Sequence, residues 1–91
     1  MTQVSNNIIK AIRKRYIGRF VSCPEHVSYF IRKIVKIHYE QQDEALYFIV
    51  TDFHYIGYEF DEVLKVRDVK NAMKYFGLEK IRHHIIFDHN R

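Results

Sequence analysis

The chain has one cysteine, Cys23, one proline, Pro24, three glycines, three leucines and no tryptophan among its 91 residues. A lone cysteine excludes an intramolecular disulfide framework and any zinc cage built on thiolates, because both need at least two sulfurs close together. So little glycine and proline excludes collagen-like and low-complexity organisation and leaves no hinge at which the chain would divide. No apolar run approaches the ~20 residues that span a bilayer, and Met1 to Lys10 lacks the uninterrupted apolar core and cleavage site of a leader. These absences lead to the expectation of a cytoplasmic, single α+β domain over residues 1–91 that uses no cofactor and no metal. A chain of this length buries only about 60–65% of its unfolded surface, so a second copy, as a homodimer, would add stability.

What is present points to sheet. Isoleucine and valine number twenty, with seven tyrosines and seven phenylalanines, and β-branched and aromatic side chains suit a pleated, half-buried surface. The net charge of +4 conceals a segregation: residues 1–39 carry +7, residues 40–63 carry −7 with no Lys or Arg, and residues 64–91 carry +4. Such blocks either neutralise one another within the fold or make a dipolar surface that orients a partner.

Ser5 can cap a helix over 6–15, in which Ile8, Ile9, Ile12 and Tyr16 recur at helical spacing and Gly18 supplies the stop. Tyr16 to Val21 reads as a short strand ended by Ser22-Cys23-Pro24. Residues 27–40 fit two periods. As a helix, Val27, Phe30, Ile31, Ile34, Val35 and Ile37 share a face; as a strand, Val27, Tyr29, Ile31, Val35, Ile37 and Tyr39 alternate with polar residues, Lys33 excepted. The strand-like run Ala45 to Tyr58 needs a hydrogen-bonded neighbour, which favours a hairpin turning at Gln41 to Glu44. That hairpin pairs Tyr39 with Leu46, Ile37 with Phe48, Val35 with Val50 and Tyr29 with Ile56, and sets Lys33 opposite Asp52. After a bend at Gly57, Tyr58 to Val66 continues as strand. Asp68 then caps a helix carrying Val69, Ala72, Met73 and Phe76 and closed by Gly77 and Leu78, and Lys80 to Asp88 alternates as a last strand. The fold class is α+β: a curled antiparallel sheet of four to five strands with one or two short helices packed on it.

Two sets of residues suggest nucleic acid. The second face of the hairpin interleaves Phe30, Arg32, Lys36 and His38 with Tyr47, Phe53 and Tyr55, and rings among cations are how sheets hold single strands; a covering helix would turn the same residues into a second small core. Lys10, Arg13, Lys14, Arg15 and Arg19 form the densest basic cluster, able to follow a phosphate backbone or to stand as a solvated face. The leading expectation is a small, non-enzymatic binding or regulatory protein acting on nucleic acid or on a nucleoprotein complex. The alternative is an inhibitor or adaptor of the phage or mobile-element type, in which Asp43, Glu44, Glu59, Asp61 and Glu62 block a basic groove of a protein target. A third reading is a metal-independent ribonuclease using His83 or His84 with Arg82. His83 and His84 face opposite sides of a strand, which argues against joint chelation, and Cys23 with His26 is a nucleophile pair by sequence proximity only. No GxGxxG or GxxxxGK[ST] loop is present to cradle a nucleotide.

Overall fold

Ser5 begins the first helix by accepting the Ile8 amide on its hydroxyl at 3.2 Å, which satisfies one of the donors left over at a helix start. In the computed structural model, which describes residues 4–25, 28–56 and 62–89, this helix is α1 (Asn6–Tyr16), with Ile9, Ile12 and Tyr16 buried along one stripe. Arg13, Lys14 and Arg15 fill its last turn, where positive charge suits the exposed carbonyls. Gly18, at φ +90°, turns the chain out of the helix, a conformation a side chain would resist.

The strand expected at Tyr16 starts later, at β1 (Phe20–Glu25), because Tyr16 belongs to the buried stripe of α1. It also runs through Ser22-Cys23-Pro24 rather than ending there. Pairing on the outer side of β1 stops at Ser22, so Pro24 lies where β1 is an edge and its missing N–H costs no ladder bond.

Residues 28–40 are strand. β2 (Ser28–Glu40) and β3 (Ala45–Thr51) form the hairpin, with Tyr39 opposite Leu46 and Ile37 opposite Phe48 as the sequence implies. Beyond that the register shifts between Ile34 and Lys36, so that Val50 faces Ile34 and not Val35. Further along, Ile31 bridges Tyr55, one residue out of the register that would pair Tyr29 with Ile56, and on its other side Tyr29 lines up with Pro24 of β1. Lys33 falls in register with Phe20, and its backbone N–H donates to the Thr51 hydroxyl at 3.1 Å.

β4 (Val63–Lys65) does not extend β3; it joins β1 in parallel. The expected bend at Gly57 and strand start at Tyr58 lie outside the described residues, as do His26 and Val27. α2 (Val66–Ala72) begins at once, with Lys65 as its N-terminal flanking residue and Asp68 inside the first turn rather than capping it. A 3-10 turn (Met73–Phe76) continues to Gly77 at φ +75°, where the Leu78 amide donates back to the Met73 carbonyl at 3.0 Å. That closure is the expected glycine stop. β5 (Arg82–Asp88) then lies parallel to β3.

The result is an open, mixed five-stranded sheet in the order β4-β1-β2-β3-β5, its three central strands antiparallel and its two outer strands parallel to their neighbours. Parallel neighbours need a long crossover, and the β4–α2–β5 segment supplies it for β3 and β5. Both helices bury their stripes in one cluster, Ile9, Ile12, Tyr16, Val69 and Met73 against Val21, Ile34, Ile37, Leu46, Phe48 and Val50. The fold therefore has two layers, with one helix-bearing face and one face that no described helix covers.

β1 begins only at Phe20, opposite Lys33, so no described strand pairs with the far half of β2 on that side. The chain around α1 completes it. The Gly18 amide donates to the Ile34 carbonyl at 2.7 Å, the Ile34 amide to the Arg19 carbonyl at 2.9 Å, and Arg13 Nε to the Ile37 carbonyl at 3.0 Å.

At the other end of β2, Arg32 is 6% exposed. It donates from Nη1 to the carbonyls of Thr51, at 2.7 Å, and Asp52, and its guanidinium lies 4.3 Å from the centre of the Phe87 ring. A buried charge is tolerated when its donors are filled. Replacing Arg32 by Met keeps the stem and removes the donors, and should cost about 2–3 kcal/mol, read as a lower urea midpoint in circular dichroism. A midpoint equal to that of the parent would mean the two carbonyls do not depend on Arg32.

Candidate nucleic-acid interface

Which side chains share a face follows from the register. Val50, Phe48 and Leu46 point to the helices, so Tyr47 and Ile49 point the other way, together with their partners His38 and Lys36 on β2 and His84 and Ile86 on β5. Two rows result across three strands: His38–Tyr47–His84, and beside it Lys36–Ile49–Ile86. In the first row the His38 and Tyr47 rings are 6.4 Å apart at 24°, and those of Tyr47 and His84 5.2 Å apart at 23°, both stacked. Lys36 and His84 are exposed, Ile86 is 41% exposed, and the side chain of His38 is 49% exposed with Nε2 3.5 Å from a Glu40 carboxylate oxygen.

A second aromatic group stands on the same face toward β1. Phe20 and Tyr55 meet edge to face at 5.0 Å, and Phe53 tilts against Tyr55 at 5.2 Å. The Lys33 ammonium lies 5.5 Å from the Phe20 ring centre and 5.7 Å from that of Tyr55, within cation–π range. Phe53 is 55% exposed. Its carbonyl accepts from the Thr51 hydroxyl at 2.8 Å, which ties this segment to the end of β3.

The structure thus brings Lys36, His38 and Tyr47 together, as the sequence implies, and sets Phe53 and Tyr55 farther along the same face, where Tyr55 bridges Ile31. It separates Phe30 and Arg32 from them. Cross-strand partners share a face; Phe30 aligns with Cys23 and Arg32 with Val21, both core residues, so both belong to the helix-bearing side. There Phe30 packs against His54, ring centres 4.5 Å apart. The shift at Val35 is the cause: it reverses which face each residue of β2 occupies. His84, Phe20 and Lys33 complete the ring-bearing face and were not among the expected binding residues; the helix-like spacing of Ile34 and Ile37 is the one signal in the sequence that marks the shift.

The basic cluster is divided. Lys10, Lys14 and Arg15 are exposed on α1, across the sheet from the rings. Arg13 serves the edge of β2, and Arg19 pairs with Glu62 at 2.8 Å. The acidic set is divided too. Asp43 and Glu44 lie in the β2–β3 turn, where the Asp43 carbonyl accepts from Arg82, whereas Glu62 adjoins the start of β4. Seven residues of β2 separate the two levels, about 20 Å of strand. Glu59 and Asp61 lie outside the described residues.

No family model, curated protein or solved structure matches this chain.

Among the described residues no helix is long and apolar enough to cross a membrane, and no group of three or more His, Cys, Asp or Glu is placed to hold a metal ion. Cys23 is buried.

His83 and His84 face opposite sides of the sheet. His84 joins the ring row; His83 is half-buried on the helix-bearing side, with Nε2 3.1 Å from the Leu78 carbonyl. A carbonyl only accepts, so this nitrogen carries the proton and the neutral ring suffices. Burial pushes the His83 pKa below 6.5; the Leu78 bond opposes this, and the charge of Lys70 adds to it. The unfolded chain therefore takes up the proton first as pH falls, so the contribution to stability is intact above about 6.5, declines below it and levels off under the folded pKa. Urea midpoints measured from pH 8 to pH 5 should fall in this direction, and less steeply for His83→Gln, whose amide can still donate to Leu78. Identical slopes would show that His83 does not contribute.

Proposed function

We propose that this chain binds single-stranded nucleic acid across the open face of its sheet and acts as a small, non-enzymatic regulatory or accessory protein. The observation that carries the reading is the stacked row His38–Tyr47–His84 on a face that no described helix covers. A row of rings offers successive bases a platform worth about 1–3 kcal/mol per stacked base, without requiring a particular sequence. Lys36, one row along, is placed to neutralise a phosphate, and Ile49 and Ile86 give apolar floor between. A duplex would bury its base faces within its own stack, so a platform of this kind suits a splayed single strand.

The acidic alternative has less support, because Glu62 is engaged with Arg19 and the Asp43–Glu44 turn stands about 20 Å away along β2. The ribonuclease reading has less as well, since Arg82 is engaged with the Asp43 carbonyl and His83 is half-buried against the Leu78 carbonyl.

Fluorescence anisotropy with a labelled single-stranded oligonucleotide tests the proposal. Tyr47→Ala should weaken binding about tenfold, from the loss of one stacked base. Lys36→Ala should reduce the slope of log affinity against log salt by about 0.7, one phosphate contact on a single strand. A paired Lys10→Ala, Lys14→Ala variant, altered on the far side of the sheet, should stay within about twofold of the parent. If that variant loses binding while Tyr47→Ala keeps it, α1 is the interface and the ring row is not.

A further inference from the structure

Clear of the His38–Tyr47–His84 row but only two residues along β1 from Phe20, a cleft of about 600 Å³ opens past the end of β4, where β4 no longer pairs with β1, within the ~300–1,000 Å³ typical of small-molecule sites. Register builds two of its walls: Pro24 faces Tyr29 across β1 and β2, and Ser22 faces Lys65 across β1 and β4. The third is the first turn of α2, which adds Val66, Arg67 and Lys70. Three cations thus border one cleft, and none of the described residues that line it is acidic. Arg67 and Lys70, three apart on a helix, project to the same side. Asp68 approaches Arg67 at only 3.9 Å, with both side chains largely in solvent, a contact of little strength. Tyr29 is 73% exposed, a large ring left in water beside Pro24 and Val66.

We propose that this cleft binds a nucleoside phosphate, its base against Tyr29, Pro24 and Val66 and its phosphate among Lys65, Arg67 and Lys70. Cations alone would serve any small anion. The ring, proline and valine add a flat apolar wall that only a phosphate carrying a planar group would fill. A free mononucleotide and the phosphorylated end of a strand share this chemistry. The cleft shares no residue with the His38–Tyr47–His84 row, so it stands or falls apart from the sheet-face reading.

The test is a two-dimensional amide NMR titration of the full chain, at constant ionic strength, with adenosine 5′-monophosphate, adenosine and inorganic phosphate in turn. The monophosphate should give saturable shifts at Ser22, Lys65, Arg67 and Lys70, with adenosine and phosphate each at least about tenfold weaker, since each forgoes one set of contacts. Arg67→Ala with Lys70→Ala, and separately Tyr29→Ala, should each weaken the monophosphate about tenfold, while signals remote from the cleft stay in place as proof of folding. Tyr47→Ala should leave this titration unchanged, so failure here and failure on the sheet face are distinguishable. Displacement of the monophosphate by a 5′-phosphorylated oligonucleotide and not by its unphosphorylated form would identify a strand end as the source; response to the mononucleotide alone would identify the free nucleotide. No saturable shift at these amides, shifts at His38, Tyr47 and His84 instead, or inorganic phosphate binding as tightly as the monophosphate would overturn the proposal.

Discussion

The register shift at Val35 is the constraint on which the arrangement of this sheet depends. An extra residue in one strand of an antiparallel pair reverses the in–out alternation beyond it, and in β2 it does so midway along the longest strand. Ile34 and Ile37, three apart, consequently both enter the core, at 1% and 0% exposure. Without the shift either Ile37 would face water and Lys36 and His38 would be driven under the helices, or Ile34 would face water and Lys33 would be driven under them, at the cost of an unpaired buried polar group. With it, the hairpin half of β2 presents Lys36 and His38 outward, while the half paired with β1 turns Phe30 and Arg32 inward and sets Lys33 beside Phe20 and Tyr55.

Connectivity then decides that no described helix covers this outward face. α1 precedes the sheet and docks on β2; α2 lies in the connection from β4 to β5. Both contribute to a single hydrophobic cluster, so the second layer is complete on one side. The far edge of β2, left without a described strand because β1 starts opposite its middle, is closed by backbone around Gly18 and by the Arg13 side chain. Part of the basic cluster is thereby spent on finishing the fold, and Lys10, Lys14 and Arg15 remain in solvent behind the sheet. The segregated charge of the sequence does not become one patch and one counter-patch. It is distributed over both faces and both ends.

Much of this was legible in the chain. α1 follows from Ser5 and the Ile9, Ile12, Tyr16 spacing, the second helical stop from Gly77 and Leu78, and the hairpin register near the turn from matching Tyr39 and Ile37 with Leu46 and Phe48. Residues 27–40 suggested helix and strand together for a reason the structure supplies: a shifted strand places i and i+3 on one face and so imitates helical spacing. Alternation therefore assigned Phe30 and Arg32 to the wrong side while placing Lys36, His38 and Tyr47 correctly. β4 was obscure because three residues carry too little pattern to name a partner, and parallel pairing with β1 is a long-range choice made by the crossover. The cleft beside it draws residues from β1, β2 and the start of α2, and no local motif unites them.

Arg32 shows how the shift links stability to the surface. Its guanidinium was expected to meet phosphate; buried, it instead holds the carbonyls of Thr51 and Asp52 where β3 leaves the sheet. The same stretch is gripped by the Thr51 hydroxyl, which receives the Lys33 amide and donates to Phe53, and by His89, whose Nδ1 lies 3.3 Å from the Asp52 carboxylate. Phe53 and Tyr55 follow directly, so the orientation of these rings beside Lys33 depends on a cation on the opposite face. A binding surface keeps its geometry only where the side chains beneath it are locked. In this sheet the lock is a residue whose charge and position in sequence resemble those of a ligand contact, and whose burial assigns it to the scaffold.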